Sequence, residues 1–247
     1  MAGQHREPPQ FPGAVGLTWL KVYDSVAPDG VRGGSPHVHL ASAEAYITVA
    51  GQGEVVTFGP EGLASFELRP GGVVWFEPGI IHRLVNTSGD LEIFVVMQNA
   101  GLPEAGDAIM TFPDPVLADP AAYRSAVALA GDDIDTRLVE AATRRDRAVE
   151  GFAALLDGDD ATRRERYERF LTRAVALRQH VVPDWRRLWE TRPLEEARRT
   201  GQRLDEILAG EIAMLTQARV ASYMPDPEPV PGMCGRLGTY LPEGWAR

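Results

Sequence analysis

Between residues 17 and 112, apolar positions come in short runs interrupted by turn residues. Leu17–Tyr23, Ala45–Val49, Glu54–Phe58, Ser65–Leu68, Val73–Phe76 and Leu91–Met97 are rich in Val, Ile, Phe, Tyr and Trp. Gly51–Gly53, Gly59–Gly62, Pro70–Gly72 and Asn86–Asp90 separate most of them. β-Branched and aromatic side chains suit a pleated, half-buried surface, whereas Gly, Pro, Asn and Asp suit turns. Many short strands at regular spacing predict an all-β sandwich or barrel. Trp75 and Phe76 read as core side chains of that unit.

After residue 112 the period changes. Asp114, Pro115, Asp119 and Pro120 read as a linker. Ile134, Leu138, Ala142, Val149, Phe152 and Leu156 then recur at helical spacing. Thr162 and Glu165 match a capping box that opens a second helix, whose apolar face is Tyr167, Phe170, Leu171, Ala174, Leu177 and Val181 and which Pro183 should stop. A third pattern runs from about Leu194 to Tyr223, with Leu204, Ile207, Leu208, Ile212 and Leu215 expected inward, although Gly201 and Gly210 weaken its continuity. The expected plan is a tail over 1–16, a β unit over 17–112, about three helices over 113–224, and a Pro/Gly-rich extended tail over 225–247. Three apolar stripes must be buried, so the helices should pack together and onto the barrel or onto its copy in a second subunit.

Composition narrows the function classes. The chain has 247 residues and a formal net charge of −10, which argues against a nucleic-acid partner. The arginines Arg163, Arg164, Arg166, Arg169 and Arg173 interleave with Glu165 and Glu168 and read as a solvated helix face. One cysteine, Cys234, excludes an intrachain disulfide. The first residues have no apolar stretch typical of a signal peptide, and no window has the length and apolarity of a membrane span. The expected location is the cytoplasm, with no membrane partner.

The chemistry concentrates in the β half. His37 and His39 are two residues apart, so on a strand they share a face. Glu44 follows after a small turn, and His82 opens a later strand. Two facing strands can thus bring three imidazoles and a carboxylate to one point. Such a set suits a divalent transition metal such as Fe, Mn, Zn, Ni or Cu, and disfavours Mg and Ca. Tyr46 and Thr48 share parity with Glu44. Tyr46 is a candidate to orient substrate or carry a proton, and Glu77 is a candidate general base at the mouth.

Gly33-Gly-Ser-Pro-His37-Val-His39-Leu-Ala-Ser-Ala-Glu44-Ala-Tyr-Ile-Thr-Val-Ala-Gly51 resembles the first motif of the cupin superfamily. Gly71-Gly-Val-Val-Trp-Phe-Glu77-Pro-Gly79-Ile-Ile-His82-Arg-Leu-Val-Asn86 resembles the second, with one departure: Glu77 stands in the proline slot and Pro78 follows it. The resemblance covers about residues 17–112. It implies an RmlC-like double-stranded β-helix barrel, followed here by the helical region, so that the fold class is mainly β plus α. It also implies a metal ion on His37, His39, Glu44 and His82, and a homodimer. It names no reaction. The expected function is a metal-dependent enzyme, of oxygenase or isomerase/epimerase type, acting on a small organic molecule. The alternative is a non-catalytic small-molecule-binding or sensory protein with a helical interaction region.

Overall fold

In the computed structural model of the chain, residues 10–225 and 228–240 are described. The β half runs β1 (Gly16–Val22), β2 (His37–His39), β3 (Glu44–Ala50), β4 (Gly53–Gly59), β5 (Gly62–Leu68), β6 (Val73–Phe76), β7 (Ile81–Asn86), β8 (Glu92–Met97) and β9 (Ala108–Met110). Six helices follow: α1 (Asp114–Leu117), α2 (Pro120–Val127), α3 (Ile134–Leu156), α4 (Asp160–Arg178), α5 (Val182–Thr191) and α6 (Pro193–Leu208). The chain then returns to the barrel as β10 (Val230–Pro231) and β11 (Gly235–Thr239). Two antiparallel sheets result, with strand orders β10-β11-β1-β8-β3-β6 and β5-β4-β7-β2-β9. The barrel and the helical region are thus present as expected, but the C-terminal segment is part of the barrel: β11 pairs with β1 from Thr18↔Thr239 to Val22↔Gly235.

Alternation along the strands divides the apolar residues into two cores. Leu20, Val22, Tyr46, Val55, Leu84, Ile93 and Val95 fill the space between the sheets. Val38, Phe58, Ile81 and Ile109 face outward from the five-stranded sheet and meet Phe112, Tyr123, Ala148, Phe152, Tyr167 and Phe170 from the segment after the barrel. At about 25 cal/mol per Å² of apolar surface, this second core holds α1 to α4 on one face of the barrel. Polar bonds fix their placement. The Tyr167 hydroxyl donates to Gly79 O at 2.9 Å, and Trp185 Nε1 donates to Ala105 O at 3.1 Å. Arg145, fully buried, donates to Ser25 O and Val26 O. No helix among the described residues is long and apolar enough to cross a membrane.

Several local expectations change. The linker residues form α1 and α2, with the Asp119 side chain capping α2 by accepting from Ala121 N at 2.8 Å, because a Pro in the first turn starts a helix as readily as it ends one. The cap of α4 is Asp159, not Thr162; its carboxylate accepts from Thr162 N at 2.9 Å. Pro183 lies in the first turn of α5 rather than stopping the preceding helix. The third helical pattern ends at Leu208, with Gly210 in a left-handed conformation beyond it (φ +74°). Leu204, Ile207, Leu208, Ile212 and Leu215 are exposed, not inward. Arg163 and Arg166 do more than face solvent. They donate to Leu156 O and to Ala154 O and Asp157 O, satisfying carbonyls that the C-terminus of α3 leaves open. Trp75 is 73% exposed, since it pairs with Ala45 on the outer face while Phe76 points in.

Candidate metal centre

Three imidazoles come from one sheet and the carboxylate from the other. β2 and β7 are neighbours, and His37 pairs directly with His82. His39, two residues along, shares the inward face. Glu44 opens β3 across the barrel. The turn before β7 is also defined. Ile80 N donates to Glu77 O at 3.4 Å, with Pro78 and Gly79 between them and Gly79 at φ +95°. A Pro followed by a residue of positive φ is the arrangement of a type II turn, so the shifted proline is accommodated. Gly79 N donates to His39 O at 2.9 Å, tying this turn to the strand that carries two of the histidines. Asn86 serves structure: its side chain donates to Val22 O and accepts from Gly89 N and Leu91 N.

All four side chains are buried, and one donor atom from each lies within 4.8 Å of the others. His82 Nε2 stands 3.1 Å from His37 Nε2 and 3.0 Å from Glu44 Oε2; His39 Nε2 is 3.5 Å from the same oxygen. Donors about 2.0–2.3 Å from one ion stand about 3 Å apart when adjacent, so these spacings fit one first-row ion.

Electrostatics point the same way. His37 Nδ1 lies 2.9 Å from Ser35 O and His82 Nδ1 3.0 Å from Ile80 O. A carbonyl only accepts, so in each neutral ring Nδ1 carries the proton and Nε2 keeps a lone pair. Those lone pairs face each other and the Glu44 carboxylate, whose Oε2 is buried without a hydrogen-bond partner. Acceptors crowded against acceptors are unfavourable until a cation joins them. The residues present therefore fit a transition-metal ion. Burial, with the neighbouring imidazoles His82 and His39, pulls His37 well below the ordinary histidine range. Burial would raise Glu44, but the His82 and His39 imidazoles outweigh it and hold the carboxyl below its usual range.

Asp107 was not found by sequence reasoning. It is wholly buried, its Oδ1 accepts from Leu40 N and Ala41 N, and its Oδ2 lies 3.4 Å from His39 Nδ1. Its signal in the sequence is slight: an acidic residue immediately before the apolar run Ala108–Met110. Burial lowers the His39 pKa, but the Asp107 contact and the Glu44 charge prevail and raise it.

Beside the donors lies a cavity of about 320 Å³. Tyr46 lines it, with a buried hydroxyl lacking a partner. Burial and the adjacent Glu44 charge push that phenol well above its usual range, so it stays protonated. Thr48 is also buried. Glu77 is not brought to the site; it is exposed in the turn before β7 and does not line the cavity. Cys234, from the returning segment, does line it, with Sγ 3.9 Å from His37 Nδ1. Burial pushes its thiol up, leaving a neutral, weak donor.

Residues 23–97 match the family model described as a cupin domain. No curated protein matches the chain. Among solved structures, the fold resembles the TDP-fucose-3,4-ketoisomerase WlaRA from Campylobacter jejuni, at 21% identity over 32% of this chain and 57% of that one, with a TM-score of 0.26. It also resembles QdtA, a sugar 3,4-ketoisomerase from Thermoanaerobacterium thermosaccharolyticum, at 17% identity over 33% and 57%, TM-score 0.27. Oxalate decarboxylase from Bacillus subtilis matches at 14% identity over 34% and 21%, TM-score 0.28. The chain thus spans little more than half the length of the first two. Residues 23–97 thus carry a cupin domain, whose two motifs supply the clustered histidines and glutamate.

Proposed function

We propose that the chain is a metal-dependent enzyme that holds one divalent transition-metal ion on His37, His39, Glu44 and His82. Its substrate is a small organic molecule bound in the adjoining cavity, and its chemistry is of oxygenase or isomerase/epimerase type. The observation that carries this reading is the convergence of three Nε2 atoms and an unpartnered Glu44 oxygen at the wall of a cavity with room for a ligand. When bound, such an ion polarises a substrate oxygen or activates water or O₂. The chain's own residues do the rest. Carbonyls and Asp107 fix the imidazoles, and apolar walls exclude water. The Tyr46 hydroxyl holds a proton where a substrate oxygen can receive a hydrogen bond.

The test is elemental analysis of protein purified without added metal, then a turnover screen with the recovered ion restored. About one ion per chain and turnover of a small molecule are expected. Binding without turnover would replace the enzyme reading by a ligand-binding one, and an absence of metal under all loading conditions would end both metal readings.

The proposed assembly is a homodimer. Its support is the outer face of the six-stranded sheet, where Ile47, Val49, Val73 and Trp75 are exposed beside the open edge of β6. Light scattering in solution should return the mass of two chains.

A further inference from the structure

The cavity beside the four donors is lined by one arginine, which the metal reading leaves unused. Arg144, on α3, lines it. One terminal nitrogen donates to Val127 O at 2.9 Å and the other to Gly232 O at 2.8 Å. A guanidinium has five N–H donors, so three remain, and the Nε–H among them is buried without a partner. Among the described residues no carboxylate forms an ion pair with Arg144. The two arginines in the core differ in this respect: Arg83 pairs with Asp29, and Arg145 with Asp146. Glu104 also lines the cavity, but its Oε2 accepts from Gly101 N at 2.9 Å. Burial lowers the Arg144 pKa, yet a guanidinium stays protonated in proteins.

A half-buried cation with no ion-pair partner is costly, and an anion entering the cavity beside it offsets that cost. The other walls restrict what the anion can be. Leu20, Val95, Met97, Met233 and Leu237 contribute apolar surface. A sugar or polyphosphate would leave several polar groups unpartnered against them. The volume is at the small end for ligand sites.

We infer that the ligand of this cavity is a small carboxylic acid with an apolar body, its carboxylate held by Arg144 and the remainder lying toward the four clustered side chains. As a statement about a substrate, this rests on the metal-enzyme reading above. Arg144 is then the residue that sets specificity for an acid over its neutral counterpart.

The experiment is calorimetric titration of hexanoate, benzoate and 3-phenylpropionate, each against its own amide, which has nearly the same shape without the charge. It is run on metal-loaded and chelator-stripped protein, with metal content measured in each sample. At least one acid should bind about tenfold or more tightly than its amide. Arg144→Gln should abolish that ratio and Arg144→Lys should retain part of it, with or without metal. A structural defect in either variant would weaken acid and amide alike, leave the ratio unchanged and overturn the inference. So would equal binding of acid and amide in the wild type, or no binding by any acid of the panel. The two readings fail separately. An Arg144-dependent ratio in a chain that never takes up metal refutes the enzyme alone. A metal-loaded chain whose acid preference ignores Arg144 refutes the carboxylate site alone.

Discussion

His39 Nδ1 faces Asp107 Oδ2 at 3.4 Å, a contact that links β2 to the turn before β9. Asp107 is a positioning residue for His39: its other oxygen is already fixed by Leu40 N and Ala41 N, so the carboxylate cannot turn away. Asp107→Asn can keep an oxygen for those two amides, but places an NH₂ opposite the ring N–H. Loss of such a supporting partner weakens metal binding about 10–100-fold. A competition titration against a chromophoric chelator measures this. Unchanged affinity with an unchanged melting curve would show that Asp107 does not orient His39.

His82→Ala tests the donor set itself. His82 Nε2 lies 3.1 Å from His37 Nε2 and 3.0 Å from Glu44 Oε2. Its removal should reduce metal affinity by more than the loss of Asp107 does, while far-UV circular dichroism and a cooperative melt persist. The reason is that apolar burial between the sheets and under the helices, rather than an ion, supplies most of the folding free energy. Wild-type metal content would reject His82 as a ligand, and an unfolded variant would make the ion structural.

The donor set was legible because strand periodicity is local. Two residues apart on β2 means one face, and motif spacing brings Glu44 and His82 to it. Asp107 and Arg144 were not legible, since each reaches the site through tertiary contacts made far along the chain. The Pro/Gly-rich C-terminal segment read as a tail because β11 has few apolar residues of its own and is ordered by pairing with β1. The stripe on α6 looked like core because periodicity records amphipathicity and says nothing of what covers it; Leu208 is 88% exposed. Glu77 was placed near the mouth by its closeness in sequence to His82, whereas the type II turn between them leaves it outside.

A pH-dependent contribution to stability comes from Asp29 and Arg83. Partial burial raises the Asp29 carboxyl, but its hydrogen bond and ion pair with the buried Arg83 guanidinium outweigh that and hold it below the usual carboxylate range. A depressed carboxylate stabilises the fold above its unfolded pKa, and the contribution fades as pH falls through its folded value. Asp29→Asn should therefore cost about 1–2 kcal/mol at neutral pH, with the Asp29 side chain's one-third exposure reducing the cost of breaking the pair. The difference in melting temperature between wild type and variant should shrink below pH 3.8. A constant difference across that range would show that the Asp29 charge contributes nothing.

Gly151 decides how tightly α3 sits on the barrel. In an exposed helix interior, replacing Gly by Ala stabilises by about 1 kcal/mol through backbone entropy and propensity. Here an added Cβ would lie 1.9 Å from Thr111 O and 2.6 Å from the Phe112 carbonyl carbon. Both neighbours are backbone, and Thr111 is held by its hydroxyl donating to Ala148 O at 2.8 Å and its N–H donating to Pro36 O at 3.2 Å. They cannot yield as a flexible side chain would, so the helix itself must move. That displacement would disturb the packing of Ala148 and Phe152 against the outer face of the five-stranded sheet and shift Arg144 on the same helix. Overpacking of this kind costs about 1–3 kcal/mol or more, which exceeds the propensity gain. Gly151→Ala should lower the melting temperature and weaken ligand binding while leaving the four metal donors intact. A rise in melting temperature would mean that α3 rests further from the barrel than this geometry places it.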